Sequence, residues 1–323
     1  MQGGGGSADF AVAVRNVVRR CLDVAEGEEF LVIGDPGTTL VADALRREAT
    51  GVGADTVLVL IEERAAHGTE PPVSVAAALS ACDVYVAATT RSLSHTTARK
   101  EATRLGVRGA TMPGVTADML ARVMAVDFVP MAERSRHVAQ LLSGARTARL
   151  SCPRGSDMTF DLNGREGIAD DGDLTLTGAF GNLPCGEAFI SPRSGHGQAV
   201  AASLASQGIS DPPALLSVRD GRLATAEHGH GPRFLELLYE HGEPGLNLAE
   251  LGVGTNDRAM LTGNVLEDEK ILGSVHVAFG ASAAIGGSVA VPIHLDAIVT
   301  EATLVIDGEP VLQDGRWVLK GLP

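Results

Sequence analysis

His294 and Asp296 stand two residues apart in the otherwise apolar run "VPIHLDAIV". On a strand, residues i and i+2 share a face. The imidazole and the carboxylate therefore point one way, and Ile293, Leu295 and Ala297 the other. A solvated strand edge would account for this, and so would a cation site with further ligands elsewhere. Three more residues qualify. His276 lies inside the apolar "GSVHVAFG", Glu250 precedes a glycine turn in "LAELGVGTN", and Glu187 opens a strand in "GNLPCGEAFISP". Singly, each has an ordinary explanation: a satisfied core histidine, or a carboxylate held by backbone amides. Together they put neutral imidazoles and carboxylates in apolar surroundings, which is costly without a counter-charge. A divalent cation would supply one. Two His and one Asp match the facial triad of non-haem iron. With Glu187 and Glu250 added, the set is large enough for a two-metal hydrolytic site. Both chemistries stay open on the residues alone.

Other residues could act beside them. His196 in "SPRSGHGQ" follows Glu187 closely and could reach the site from a glycine-flexible loop. His95 in "SLSHTTARK" falls at a strand-to-helix turn, where ligands of parallel sheets gather. Arg99 reads as decoration on an exposed helix face with Lys100 and Glu101. His228 and His230 read as part of a solvated loop, Cys185 as packing, and the run "LEDEK" (266–270) as a solvated turn or cap with Lys270 pairing inside it.

The elements that must position these residues fall into two textures. From residue 8 to 145, buried strands at 29–35, 55–61, 84–89 and 107–114 alternate with amphipathic helices, which predicts a parallel α/β sheet. The loop "GDPGTT" lacks both nucleotide-binding glycine spacings, so a tight turn with a Thr cap is expected there. From 146 to 323, short alternating strands ("ARLSCP", "DMTFDLNG", "DLTLTGAF", "EAFISP") and Asp-Gly turns predict a largely antiparallel, β-rich domain that carries the ligands. In that half only "PRFLELLYEHG" reads as a clear helix.

A formal charge of −14 and no basic patch exclude nucleic acid as the expected partner. No apolar run reaches a membrane span. Four scattered cysteines (Cys21, Cys82, Cys152, Cys185) without a CxxC pair argue against a zinc ribbon or disulfide framework. With the glycine-rich start "MQGGGGSA", which reads as a flexible leader, they lead to a cytoplasmic expectation.

The stretches "TTRSLSHTTARKEATRLGVRGATMPGVT", "GNLPCGEAFISP", "AELGVGTND", "GNVLEDEKILGSVHVAFG" and "IHLDAIV" resemble the aminopeptidase T-type metallo-aminopeptidases. The 2,5-dihydroxypyridine 5,6-dioxygenases share that scaffold. The resemblance spans most of the chain. On the peptidase side it implies Glu187, Glu250, His276, His294 and Asp296 as ligands to one or two divalent ions (Zn, Co or Mn). The substrate would be a short peptide or small amide, and the protein a homodimer. On the dioxygenase side it implies Fe(II) on His276, His294 and Asp296, with His95 as an acid/base group. The peptidase tyrosine seven residues beyond the first histidine is replaced here by Ala283. Metal-dependent amide hydrolysis is the first expectation, and ring-cleaving dioxygenation the second.

Overall fold

The computed structural model describes residues 5–319. The chain forms two compact units. One runs up to Val126 and takes back Gly172–Cys185; the other holds Asp127–Asp171 and everything from Gly186 onward. The division differs from a single join near 145. Helix Phe128–Gly144 goes with the second unit, where Val138, Ala139 and Leu142 enter its core. The leader expected at the N-terminus lies outside the described residues as far as residue 4, and the chain is helical from Gly5.

The first unit is built on a five-stranded parallel sheet in the order Asp55–Leu60, Glu29–Gly34, Val84–Ala87, Arg108–Thr111, Phe180–Asn182. Its inner strands, "FLVIG" and "VYVA", are buried along their length, as strands covered on both faces must be. Helices Thr39–Val52, Val73–Leu79 and Thr97–Arg104 make the crossovers. The last strand is a correction. "DLTLTGAF" was expected to pair within the antiparallel half, but Phe180–Asn182 lies parallel to Gly109–Thr111 instead. Arg99 is a second correction. It is buried, its guanidinium sits 4.0 Å from the Phe180 ring centroid, and its Nε donates to the Ser94 carbonyl at 2.7 Å. The aromatic face and the carbonyl give the cation partners that water would otherwise supply.

The second unit carries a thirteen-stranded sheet. Asp-Gly turns close its hairpins where the sequence placed them. Asp220-Gly221, Asp307-Gly308 and Asp314-Gly315 all take positive φ at both positions, the geometry such two-residue turns need. The fold is thus a parallel-sheet α/β unit plus a largely antiparallel β-rich unit. Among the described residues no helix is long and apolar enough to cross a membrane.

Four adjacent strands of the second sheet matter most: Glu187–Ile190, Leu248–Gly254, Val275–Gly280 and His294–Val299, each antiparallel to the next. One face is core. Ala188, Ile190, Leu251, Val253, Val275, Val277, Phe279, Leu295, Ala297 and Val299 all belong to a single apolar cluster. Each large side chain buried there contributes about 1.5–3 kcal/mol. Alternation from these core residues leaves Glu187, Glu250, His276, His294 and Asp296 to the opposite face.

Candidate metal centre

Register sets the cluster residues in rows. Glu250 lies opposite Ala278, and Ala278 opposite Asp296, so the two carboxylates share a row with a methyl group between them. His276 lies opposite Gly252, and His294 opposite Gly280. A bulge between Leu248 and Glu250 makes this possible. Leu248 and Leu251 both enter the core, so one extra residue must shift the phase for Glu250 to reach the other face.

Small residues clear the space. A Cβ on Gly252 would lie 1.9 Å from His276 Nε2, and a Cβ on Gly254 would lie 2.1 Å from the Ile271 carbonyl oxygen. The first glycine makes room for the imidazole. The second lets the Lys270–Ile271 backbone lie against strand Leu248–Gly254. Neither was singled out in the sequence, although "ELGVG" spaces both glycines at the strand period behind Glu250.

Glu250, His294 and Asp296 each offer a ligand atom, all within 4.8 Å of one another. Glu250 Oε2 is 3.3 Å from His294 Nε2, and Asp296 Oδ1 is 3.6 Å from it. His294 Nδ1 meets the Ala281 carbonyl at 2.7 Å. Donation through Nδ1–H fixes the tautomer and presents the Nε2 lone pair to the cluster. His276 Nε2 borders this set, 3.1 Å from Glu250 Oε1 and 3.3 Å from Glu187 Oε2. Glu187 is buried, and its Oε2 has no hydrogen-bond partner among the described residues. An orphaned carboxylate oxygen beside the His276 imidazole, with Glu250, His294 and Asp296 gathered next to that imidazole's other partner, fits a divalent cation.

Electrostatics agree. Burial would raise the Glu250 carboxyl, but hydrogen bonds from His276 and His294, with their charges, outweigh it and bring it down to about 2. Burial would lower His276, yet the Glu250 hydrogen bond and the charges of Glu187, Glu250 and Asp296 lift it to about 9. His294 is lifted well above the ordinary histidine range, with Asp296 and Glu250 overcoming its burial. The pocket therefore draws positive charge: protons without a metal ion, or a metal ion in their place.

The acidic run 266–270 is not the solvated turn expected. Glu267, Asp268, Glu269 and Lys270 are all buried. Asp268 accepts from the Thr262 and Gly263 amides and from Ser203 Oγ. Lys270 is completely enclosed, with Nζ 2.5 Å from Glu187 Oε1, 2.7 Å from Glu269 Oε1 and 3.5 Å from Asp170 Oδ2. Pairing of Lys270 inside the run was anticipated; the reach to Glu187 and Asp170 was not.

One expected participant lies elsewhere on the second sheet. His196 sits in the regular strand Ser194–Leu204, not in a flexible loop, and pairs in register with Thr159. Its exposed side chain lines a depression with Arg149, Asp157, Thr159 and Gly197. The strand holds it there, so it does not join the ligand cluster. His95 occupies the exposed turn ahead of helix Thr97–Arg104, in the first unit. Cys185 is buried. Ala283, at the place of the peptidase tyrosine, opens a short 3-10 turn after the Val275–Gly280 strand.

A family model described as 2,5-dihydroxypyridine 5,6-dioxygenase (NicX) matches residues 9–319. The chain belongs to this dioxygenase family. It is thus a member of an enzyme family. In structure, the chain is similar to the 2,5-dihydroxypyridine dioxygenase of Pseudomonas putida, with a TM-score of 0.80 at 18% identity over 96% of this chain and 97% of the other. It is also similar to AmpT from Thermus thermophilus, with a TM-score of 0.72 at 15% identity over 97% of this chain and 100% of the other. No curated protein matches it in sequence. The shared scaffold inferred from the sequence motifs is therefore borne out, with the dioxygenase branch matched along nearly the whole chain.

Proposed function

We propose that this NicX-family chain is a mononuclear non-haem iron dioxygenase that opens a hydroxylated nitrogen-heteroaromatic ring. The observation that carries the reading is the placement of His276, His294 and Asp296 on one face of adjacent strands, two imidazoles and a carboxylate of the facial-triad type. Family membership supports it. Iron(II), when bound, supplies the one-electron steps by which ground-state oxygen reacts with an aromatic ring.

The chain's own residues do the rest. His294 is kept in one tautomer by Ala281, so its Nε2 faces the cluster without a proton once a cation is present. Asp296 and Glu250 lie beside it, and their carboxylates would hold a cation there. The apolar back of the same sheet keeps these groups in place and the surroundings dry.

A second reading is metal-dependent amide hydrolysis with Zn, Co or Mn. Glu250 favours it, because its carboxylate sits among the triad atoms and adds an oxygen ligand that a two-His, one-Asp set does not need. The likeness in fold to AmpT is compatible with it. One experiment separates the two. The full chain is loaded anaerobically with Fe(II) and offered a panel of dihydroxypyridines in an oxygen electrode. The same protein, loaded with Zn, Co or Mn, is offered dipeptides and small amides. Stoichiometric oxygen uptake that disappears in Asp296→Ala is the expected result. Amide cleavage without oxygen uptake would overturn the first reading in favour of the second.

A further inference from the structure

We propose that the Lys270 ammonium is the second cation of this site, built into the chain, so that the cluster takes one divalent ion and not two. The proposal rests on the metal-centre reading above, though not on which reaction the ion serves.

Glu187 faces two ways. Its Oε1 is 2.5 Å from Lys270 Nζ. Its Oε2 is 3.3 Å from His276 Nε2, has no hydrogen-bond partner among the described residues, and belongs to a residue only 6% exposed. In two-metal hydrolytic sites, a pair of ions about 3.5–4 Å apart clamps the reacting oxygens. Here the far side of Glu187 is already occupied by an ammonium. Lys270 is 0% exposed and has Glu269 at 2.7 Å and Asp170 at 3.5 Å as its other partners. An ammonium has three donors. The surrounding carboxylates match that number, so the position a second ion would need is filled.

The placement is held by backbone. Lys270 follows the short helix Val265–Asp268, its amide donates to the Glu267 carbonyl at 2.9 Å, and its own carbonyl accepts from the Asn256 amide at 2.9 Å. Gly254 allows the approach: a Cβ there would stand 2.7 Å from the Lys270 carbonyl carbon. The ammonium is therefore fixed relative to the ligand strand.

The chemical consequence is selective. An ammonium matches part of a second metal's electrostatic work but has no open coordination position. It cannot bind a water and lower its pKa as a divalent ion does. A bridging hydroxide between two ions has no place to form. What remains is one ion with carboxylates balanced on its far side.

The test counts ions on the full chain, with Mn(II) as the probe. Equilibrium dialysis with elemental analysis gives the number bound, and electron paramagnetic resonance distinguishes an isolated Mn(II) from a spin-coupled pair. The wild type is expected to bind one equivalent with the six-line signal of an isolated ion, lost in His294→Ala. Lys270→Ala leaves Asp170, Glu187 and Glu269 facing one another and is expected to bind a second equivalent and give a coupled signal. Two equivalents or a coupled signal in the wild type would overturn the proposal, as would a folded Lys270→Ala that still binds one. If Lys270→Ala does not fold, the wild-type count and signal decide. No binding at all would sink the metal-centre reading and the proposal with it. One equivalent of Mn(II) with no oxygen uptake by the iron-loaded protein would remove the ring-cleaving reading and leave the Lys270 assignment standing.

Discussion

Gly252→Ala places one methyl group where the His276 ring now lies. The new Cβ would stand 1.9 Å from Nε2, whereas ordinary contact begins near 3.4 Å, so the ring must retreat by 1.5 Å. Neither side can give easily. Gly252 is paired in register on the central ligand strand, and His276 is fully buried. A retreat of that size carries Nε2 out of range of Glu250 Oε1, now 3.1 Å away. Overpacking of this kind costs about 1–3 kcal/mol, and a lost hydrogen bond to a charged group costs about 1.5–3 kcal/mol more. For a domain of some 200 residues, that sum lowers the melting temperature by roughly 5–20 °C. Mn(II) affinity should fall at least about 10-fold, the usual cost of disturbing a ligand's support. Scanning calorimetry and equilibrium dialysis measure the two effects. Gly51→Ala is the control. It lies in helix Thr39–Val52 with nothing within 4 Å of its Cβ, and should be neutral or stabilising by up to about 1 kcal/mol. Should Gly252→Ala melt within a degree or two of wild type and bind Mn(II) as tightly, the packing argument for His276 fails.

Metal uptake at pH 7 should release protons, because His276, held up at about 9, is protonated there until a cation displaces its proton. Titration calorimetry in buffers of different ionisation enthalpy reads that number, and a heat independent of buffer would contradict it. In chelator-treated protein the same histidine has a folded pKa above its unfolded value of about 6.5. Its contribution to stability is thus complete below about pH 6.5 and lost as pH rises through about 9, which denaturant titrations across that window should show. Cys82, pushed up to about 12 by burial first and by Asp83 and Glu29 after it, should resist iodoacetamide at pH 8 in the native protein and react on unfolding. Arg99→Ala removes a stacked guanidinium and its bond to Ser94, and should destabilise the first unit by about 1–3 kcal/mol in urea melts.

The cluster residues were legible because each interrupts an apolar strand, and alternation sets each on the face opposite its apolar neighbours; the bulge before Glu250 was not legible. The four early parallel strands were legible for a related reason: strands covered on both faces read as unbroken apolar runs. Phe180–Asn182 was not, since three residues carry no periodicity and their partner, Gly109–Thr111, lies about seventy residues earlier. Lys270 was misread because "LEDEK" has the composition of a solvated turn. Its burial depends on Glu187, which is remote in sequence and becomes a neighbour only through the sheet. Arg99 failed likewise, as its aromatic partner sits on the strand that was misassigned. His196 was read as mobile from its flanking glycines, but pairing with Thr159 decided its conformation.

The bulge between Leu248 and Glu250 means that this stretch stores information as a count as well as a composition. Removing Ala249 would leave every polar residue of the cluster in the chain and change no charge. It would nonetheless turn Glu250 toward the oily side of the sheet or drag Leu248 out of it. Two relatives could therefore carry the same five cluster residues and differ in whether they hold a cation, according to a spacer of one alanine. For chains of this kind, the interval between Leu248 and Leu251 is as diagnostic as the presence of the glutamate between them.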